Sequence, residues 1–401
     1  MIHLLRHPTG AAEKNDSNIV SARFTVDGSD ALESHLAQTC QHVLAAVQSL
    51  IPSSSLEAVV LGGGYGRGQG GVFKSVSGDR PYNDLEFYVF ARGNVLLNER
   101  HHRGPLHELG DRLSPAAGLH VEFKVYSRDK LRQAPVSMFT YDLAAGHRII
   151  LGDENIFQGC EHHLRADQIP LHEATRLLFN RCSGLLLAKD FLRAESLTAD
   201  QTDFIVRNLA KAQLALGDAL LTVRGQYHWS CRERHDRLNQ LADTAELPML
   251  REVRRHHAAG VEFKLHPRFI PSTKSELESR HAEITELGRQ LWLWLESLRF
   301  HRSFTSARDY ALASLSKCPE TSALRNAALN LKTFGPAAIF GSQAFRYPRE
   351  RLLNALSLLL WDEHALRDPA ARHCLKNNLR VPQPAWSDLL RAYQHIWQSY
   401  G

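Results

Sequence analysis

No pair of the six cysteines follows a C-x-x-C spacing. Scattered thiols of this kind argue against a disulfide frame or a zinc site and point to a reducing compartment. No run approaches the roughly 20 apolar residues that a membrane-spanning helix needs. The start of the chain, MIHLLRHPTGAAEKND, lacks the apolar core of a signal peptide. These absences point to a cytoplasmic protein without a membrane partner. Charge of one sign is also scarce: +5 over 401 residues suits a small polyanion better than a nucleic-acid surface. Internal repeats, heptads, a Walker turn and a Ser-His-Asp arrangement are all missing. The paired histidines at 101–102, 162–163 and 256–257 do not follow the i,i+4 HxxxH spacing of a metal site, and read as surface residues.

What is present concentrates between residues 61 and 90, LGGGYGRGQGGVFKSVSGDRPYNDLEFYVF. An apolar run, Ala58 to Leu61, leads into a glycine-dense turn carrying Arg67. A second apolar run follows Asp84. Both runs read as strands, so Asp84 and Glu86 share a face one pleat repeat apart, close enough to hold one divalent cation. Residues 119–126, LHVEFKVY, alternate as a further strand, with Val121, Phe123 and Val125 on one face and His120, Glu122, Lys124 and Tyr126 on the other.

Around these strands the pattern predicts a helix over 30–50, capped by Ser29 or Asp30, and a short strand over 18–26. A polar, broken stretch over 92–114 is expected to hold one short helix, 106–113, after Gly104-Pro105. A helix around Met138 and an edge strand over 147–151 complete the first part. From residue 171 onward helical periodicity dominates, with 261–265 as a strand or loop. The fold class expected is α+β: a small mixed-sheet domain over 1–165, then an all-helical domain over 166–401 with a break near 301. Arg224, Tyr227, Arg232 and Arg234 read as a solvated basic segment. Trp292 reads as helix packing.

Gly63-Gly64-Tyr65-Gly66-Arg67-Gly68, then Asp84-x-Glu86, then Glu122 on a later strand resembles the polymerase-β-like nucleotidyltransferase superfamily. Within it, the chain is most similar to antibiotic-modifying and minimal nucleotidyltransferases with a helical C-terminal domain. Gly146 to Gly152, GHRIILG, is similar to an element those proteins carry after the third acid. The resemblance covers roughly residues 55–155. It departs from the usual pattern at Gly64, where a serine is common, and in the 20 residues from Gly64 to Asp84. Residues 69–82 are expected to form a loop over the nucleotide or acceptor.

The resemblance implies a magnesium-dependent transferase that moves a nucleoside monophosphate from an NTP to a hydroxyl, most readily on a small molecule. Asp84, Glu86 and Glu122 would be the catalytic acids and the ligands of two Mg²⁺ ions. Gly63, Gly64, Tyr65 and Arg67 would hold the nucleotide, and Lys211, on a later helix, would reach its phosphates. Two alternatives stand beside this: an inactive nucleotide- or partner-binding protein of the same fold, and a toxin-type transferase acting on tRNA or protein.

Overall fold

The computed structural model describes residues 23–243, 247, 249–268, 271–336, 338, 343–382 and 385–401. The strand expected over 18–26 lies partly outside them; of its described part, only Thr25 makes a bridge, to Gly70. The protein is α+β. Its contacts divide it into two compact units: residues 1–170, 220–242 and 258–269, and residues 171–219, 243–257 and 270–401. The first unit therefore takes two segments from the stretch that reads as helical in the sequence. Among the described residues no helix is long and apolar enough to cross a membrane.

The first unit opens with α1 (Asp30–Leu50), started by the Ser29 side chain, which accepts from the Leu32 amide. Leu32, Leu36, Val43 and Val47 recur at helical spacing and are buried. Burying each contributes about 1.5–3 kcal/mol. After it come β1 (Leu56–Leu61), α2 (Gly63–Gly66), β2 (Gly71–Ser75), β3 (Gly78–Tyr82), β4 (Asp84–Ala91), α3 (Val95–Ala117) and β5 (His120–Tyr126). Two short helices, α4 (Arg128–Gln133) and α5 (Met138–Ala145), precede β6 (Arg148–Leu151). The main sheet runs β5-β4-β1-β6. β1 is antiparallel to β4 and β6, and β4 is parallel to β5 because α3 supplies the crossover between them.

Each sheet face has its own core. Leu85, Phe87, Val89, Val121 and Val125 pack with α1 and α3. On the opposite face Ala58, Val60, Tyr88 and Phe90 pack with Leu131 and Leu143. This second core covers the later part of β4 and stops short of Asp84 and Glu86, which stay half-buried.

Four local expectations are corrected. Residues 69–82 are not a loop: β2 and β3 pair in full register from Gly71↔Tyr82 to Ser75↔Gly78. This hairpin is tied to the start of α1, since the Ser29 amide donates to Asp79 at 2.7 Å and Lys74 donates to the Asp27 carbonyl at 2.9 Å. The broken stretch over 92–114 is one 23-residue helix, α3, running through Pro105. An interior proline costs about 3 kcal/mol, and burial of Leu106, Leu109 and Gly110 against β5 outweighs it. Residues 261–265 end a helix, α9 (Leu250–Leu265). Finally, the paired histidines are not all surface residues. His102, His163, His256 and His257 are buried, and three of them meet polar partners: the Leu131 carbonyl for His163 at 2.8 Å, Gln213 for His256 at 2.9 Å and Asp218 for His257 at 3.1 Å.

The remaining helices are α6 (Leu171–Leu192), α7 (Ala199–Val223), α8 (Cys231–Gln240), α10 (Lys274–Phe300), α11 (Ala307–Leu312), α12 (Ala323–Phe334), α13 (Pro348–Trp361), α14 (Pro369–Leu379) and α15 (Trp386–Tyr400). The core of the second unit sets Trp292 against Tyr310 and Trp361, with ring centroids 5.7 and 5.4 Å apart. Beside it Glu296, fully buried, accepts from Thr175 at 2.6 Å, Tyr310 at 2.8 Å and Arg299 at 3.0 Å. The break expected near 301 coincides with the end of α10, where His301 is left-handed (φ 50°). Both sides of it belong to the second unit.

A Cβ placed on Gly110 would lie 2.3 Å from the Val121 carbonyl oxygen. Alanine is the better helix former by about 1 kcal/mol, but the clash with backbone outweighs that. Gly110→Ala is expected to destabilise the fold by about 1–3 kcal/mol, read from the urea midpoint. An unchanged midpoint would show that α3 moves off β5 without cost.

Candidate active site

The site is built where β1 gives way to α2. The Gly62 amide donates to the Glu86 carbonyl at 2.9 Å, which fastens the turn to β4. Gly63 is left-handed (φ 62°), and a Cβ there would lie 2.8 Å from Glu86 Oε1. Glycine is thus required twice over at this position, for its backbone angle and for its closeness to the carboxylate. The first intrahelical bond of α2 runs from the Gly66 amide to the Gly62 carbonyl. The amides of Gly63, Gly64 and Tyr65 precede it and stand at the head of the turn.

Register does the rest. Across the parallel β4–β5 pair Asp84 lies opposite His120, Glu86 opposite Glu122, and Tyr88 opposite Lys124. Alternation puts all six on one face. Lys124 Nζ stands 3.2 Å from Glu86 Oε2 and 3.2 Å from Glu122 Oε2, bridging the two carboxylates. The Tyr88 hydroxyl donates to Glu86 Oε2 at 2.9 Å. Burial pushes the Glu86 carboxyl up, but the Lys124 charge, the Tyr88 hydroxyl and the Arg67 charge together bring it below the usual value. For Lys124, burial favours the neutral amine, and the two glutamates more than reverse this. The pair is therefore ionised at neutral pH. Asp84 is half-buried one pleat before Glu86, after the left-handed Asn83 (φ 79°).

Arg67 supports the turn from behind. Its Nε donates to the Gly63 carbonyl at 2.8 Å, and its NH1 lies 2.7 Å from Asp142 Oδ2 and 3.2 Å from the Trp229 carbonyl. Burial works against its charge, and Asp142 restores it. Asp142 also accepts from the Tyr227 hydroxyl at 3.2 Å, and that hydroxyl accepts from Arg234. Tyr227 and Arg234 are both buried, so the segment that reads as solvated is in part an anchor for Arg67. GHRIILG reaches the same place through pairing: β6 lies beside β1, with Arg148 opposite Leu61.

Tyr65 is core rather than lining. It is 2% exposed; its hydroxyl accepts from the Tyr82 amide at 2.8 Å and lies 2.8 Å from the Gly71 carbonyl. It ties α2 to the base of the hairpin. Lys211 is exposed on α7, within the second unit.

The structure thus gathers Gly63, Glu86 and Glu122, with Asp84 one step along the strand. Among the described residues no three acid, histidine or cysteine side chains converge closely enough to hold a metal ion. Lys124, Tyr88 and Asp142 are the site residues that sequence reasoning missed. Lys124 carried a signal, two residues from Glu122 on the same face of β5. Asp142 carried none, because only the fold brings α5 against α2. Comparisons with family models, curated proteins and solved structures found no match to this chain.

Replacing Lys124 by methionine leaves two half-buried carboxylates facing each other without their counter-ion. A depressed carboxyl contributes stability that is present above its unfolded value and lost as pH falls through the folded one. Lys124→Met should therefore lower the melting temperature at pH 7, and the gap to the parent should close as Glu86 takes up a proton in acid. A gap that does not change with pH would mean that the lysine acts through packing alone.

Proposed function

We propose that the first unit is a nucleotidyltransferase that moves a nucleoside monophosphate from an NTP to a hydroxyl of a small-molecule acceptor. The observation carrying this reading is the parallel register that sets Glu86 opposite Glu122, beside Asp84 and at the head of the glycine turn. The carboxylates offer only hard oxygen donors, which suits Mg²⁺. A cation already stands between two of them, the Lys124 ammonium. Asp84, Glu86 and Glu122 do not converge on a metal site as they stand with Lys124 between the glutamates, and would have to draw together to hold the metal. When bound, Mg²⁺ would neutralise the triphosphate and lower the barrier to in-line displacement at the α-phosphorus.

The chain's own groups have separate tasks in this scheme. The amides of Gly63, Gly64 and Tyr65 donate to phosphate oxygens, while Arg67 keeps the turn in shape and adds its charge from behind. Lys124 keeps Glu86 ionised and holds the two carboxylates close together until the substrate replaces it. Glu122, released from Lys124, accepts the proton of the attacking hydroxyl. The hydroxyl oxygen bonds to the α-phosphorus as the bond to pyrophosphate breaks.

The same lysine supports a second reading. If Lys124 never leaves, the fold binds a nucleotide or partner without turnover. Titration with a non-hydrolysable NTP separates the two: binding that tightens with Mg²⁺ favours the transferase, and binding indifferent to Mg²⁺ favours the inactive form.

Asp84→Ala combined with Glu86→Ala is expected to abolish incorporation of labelled NTP by at least about a hundredfold while the protein still unfolds cooperatively. The assay is incubation with each of four labelled NTPs and a cell extract. Undiminished labelling by the double variant would refute the assignment.

A further inference from the structure

β5 is an edge strand, and α3 runs beside it. A groove of about 660 Å³ lies between them and reaches Glu122. From α3 it is lined by Glu99, Arg100, Arg103 and His107, and from β5 by His120 and Glu122. Residues 100, 103 and 107 follow helical spacing, so α3 turns one basic face to the groove.

Two guanidiniums and two carboxylates line this groove, and both carboxylates are already neutralised from outside it. Glu99 is paired with Lys130 and Glu122 with Lys124, neither of which lines the groove. His107 lies 3.9 Å from Asp111. Among the described residues Arg100 and Arg103 make no ion pair with a carboxylate. The groove therefore keeps two guanidinium charges less than one helical turn apart, next to a carboxylate of the candidate site. Guanidinium forks match phosphate oxygens, and two of them match the double charge of a phosphomonoester. The volume is that of a small-molecule site.

We propose that this groove binds a small phosphate-bearing hydroxyl compound, with Arg100 and Arg103 on the phosphate and a hydroxyl presented to Glu122. The hydroxyl's role as acceptor rests on the transferase reading; the binding itself does not.

The test is calorimetric titration of the full chain with ribose 5-phosphate, ribose and a short single-stranded oligoribonucleotide. Ribose 5-phosphate should bind and ribose should not. Arg100→Gln with Arg103→Gln should weaken ribose 5-phosphate binding by about tenfold or more, whereas Arg112→Gln, on the same helix outside the groove, should leave it unchanged. No binding of ribose 5-phosphate, or equal weakening by Arg112→Gln, overturns the proposal. Much tighter binding of the oligoribonucleotide through the same two arginines replaces the small compound with a polynucleotide and also overturns it. The two readings fail separately. If the arginine variant loses ribose 5-phosphate yet labels an extract as well as the parent does, the acceptor role of the groove falls while its binding and the transferase stand. If nothing is ever labelled but the arginine variant alone loses ribose 5-phosphate, the groove stands and the transferase falls.

Discussion

Two carboxylates on adjacent strands repel, and in this protein one ammonium holds them together. Lys124 sits 3.2 Å from both Glu86 and Glu122. That contact exists only because β4 and β5 run parallel with Glu86 opposite Glu122. A shift of one residue would send Glu122 and Lys124 to the apolar face and take the lysine ammonium away from Glu86. The parallel arrangement depends in turn on α3, whose close approach at Gly110 sets it against β5. Helix, crossover, register and ion pair are thus one constraint.

A second constraint holds the glycine turn. Gly63 meets the Glu86 carboxylate at the front, and Arg67 grips the Gly63 carbonyl from behind. Arg67 stays charged in a buried place because Asp142 faces it. A buried charge is tolerated only when paired and hydrogen-bonded, and residues from three distant stretches, around 67, 142 and 227, combine to meet that condition. The turn can then present its amides forward without being fixed by a ligand.

Much of the first unit was legible in the sequence because period-two and helical patterns report burial directly. The strands around Val59, Phe87 and Val121 and the helix 30–50 follow from such patterns. The hairpin over 71–82 was not legible: its strands are short, partly exposed and rich in glycine and serine, so alternation is weak. The continuity of α3 through Pro105 was hidden for the opposite reason, since a strong local breaker was overruled by packing. The buried histidines were misread because burial of a polar ring depends on distant acceptors such as Asp218 and the Leu131 carbonyl.

From its sequence alone, the chain determined which groups are available: glycines where a turn and a carboxylate must touch, two acids one pleat apart, and a third acid on an alternating strand. These are local facts, set by side-chain chemistry and by the geometry of a single strand or turn. Only the tertiary structure decided which of them meet. Pairing across a crossover puts Glu86 and Glu122 opposite each other, places Lys124 between them, and turns Arg67 toward Asp142. Those outcomes depend on distances between segments far apart in the chain, and no local pattern encodes such distances.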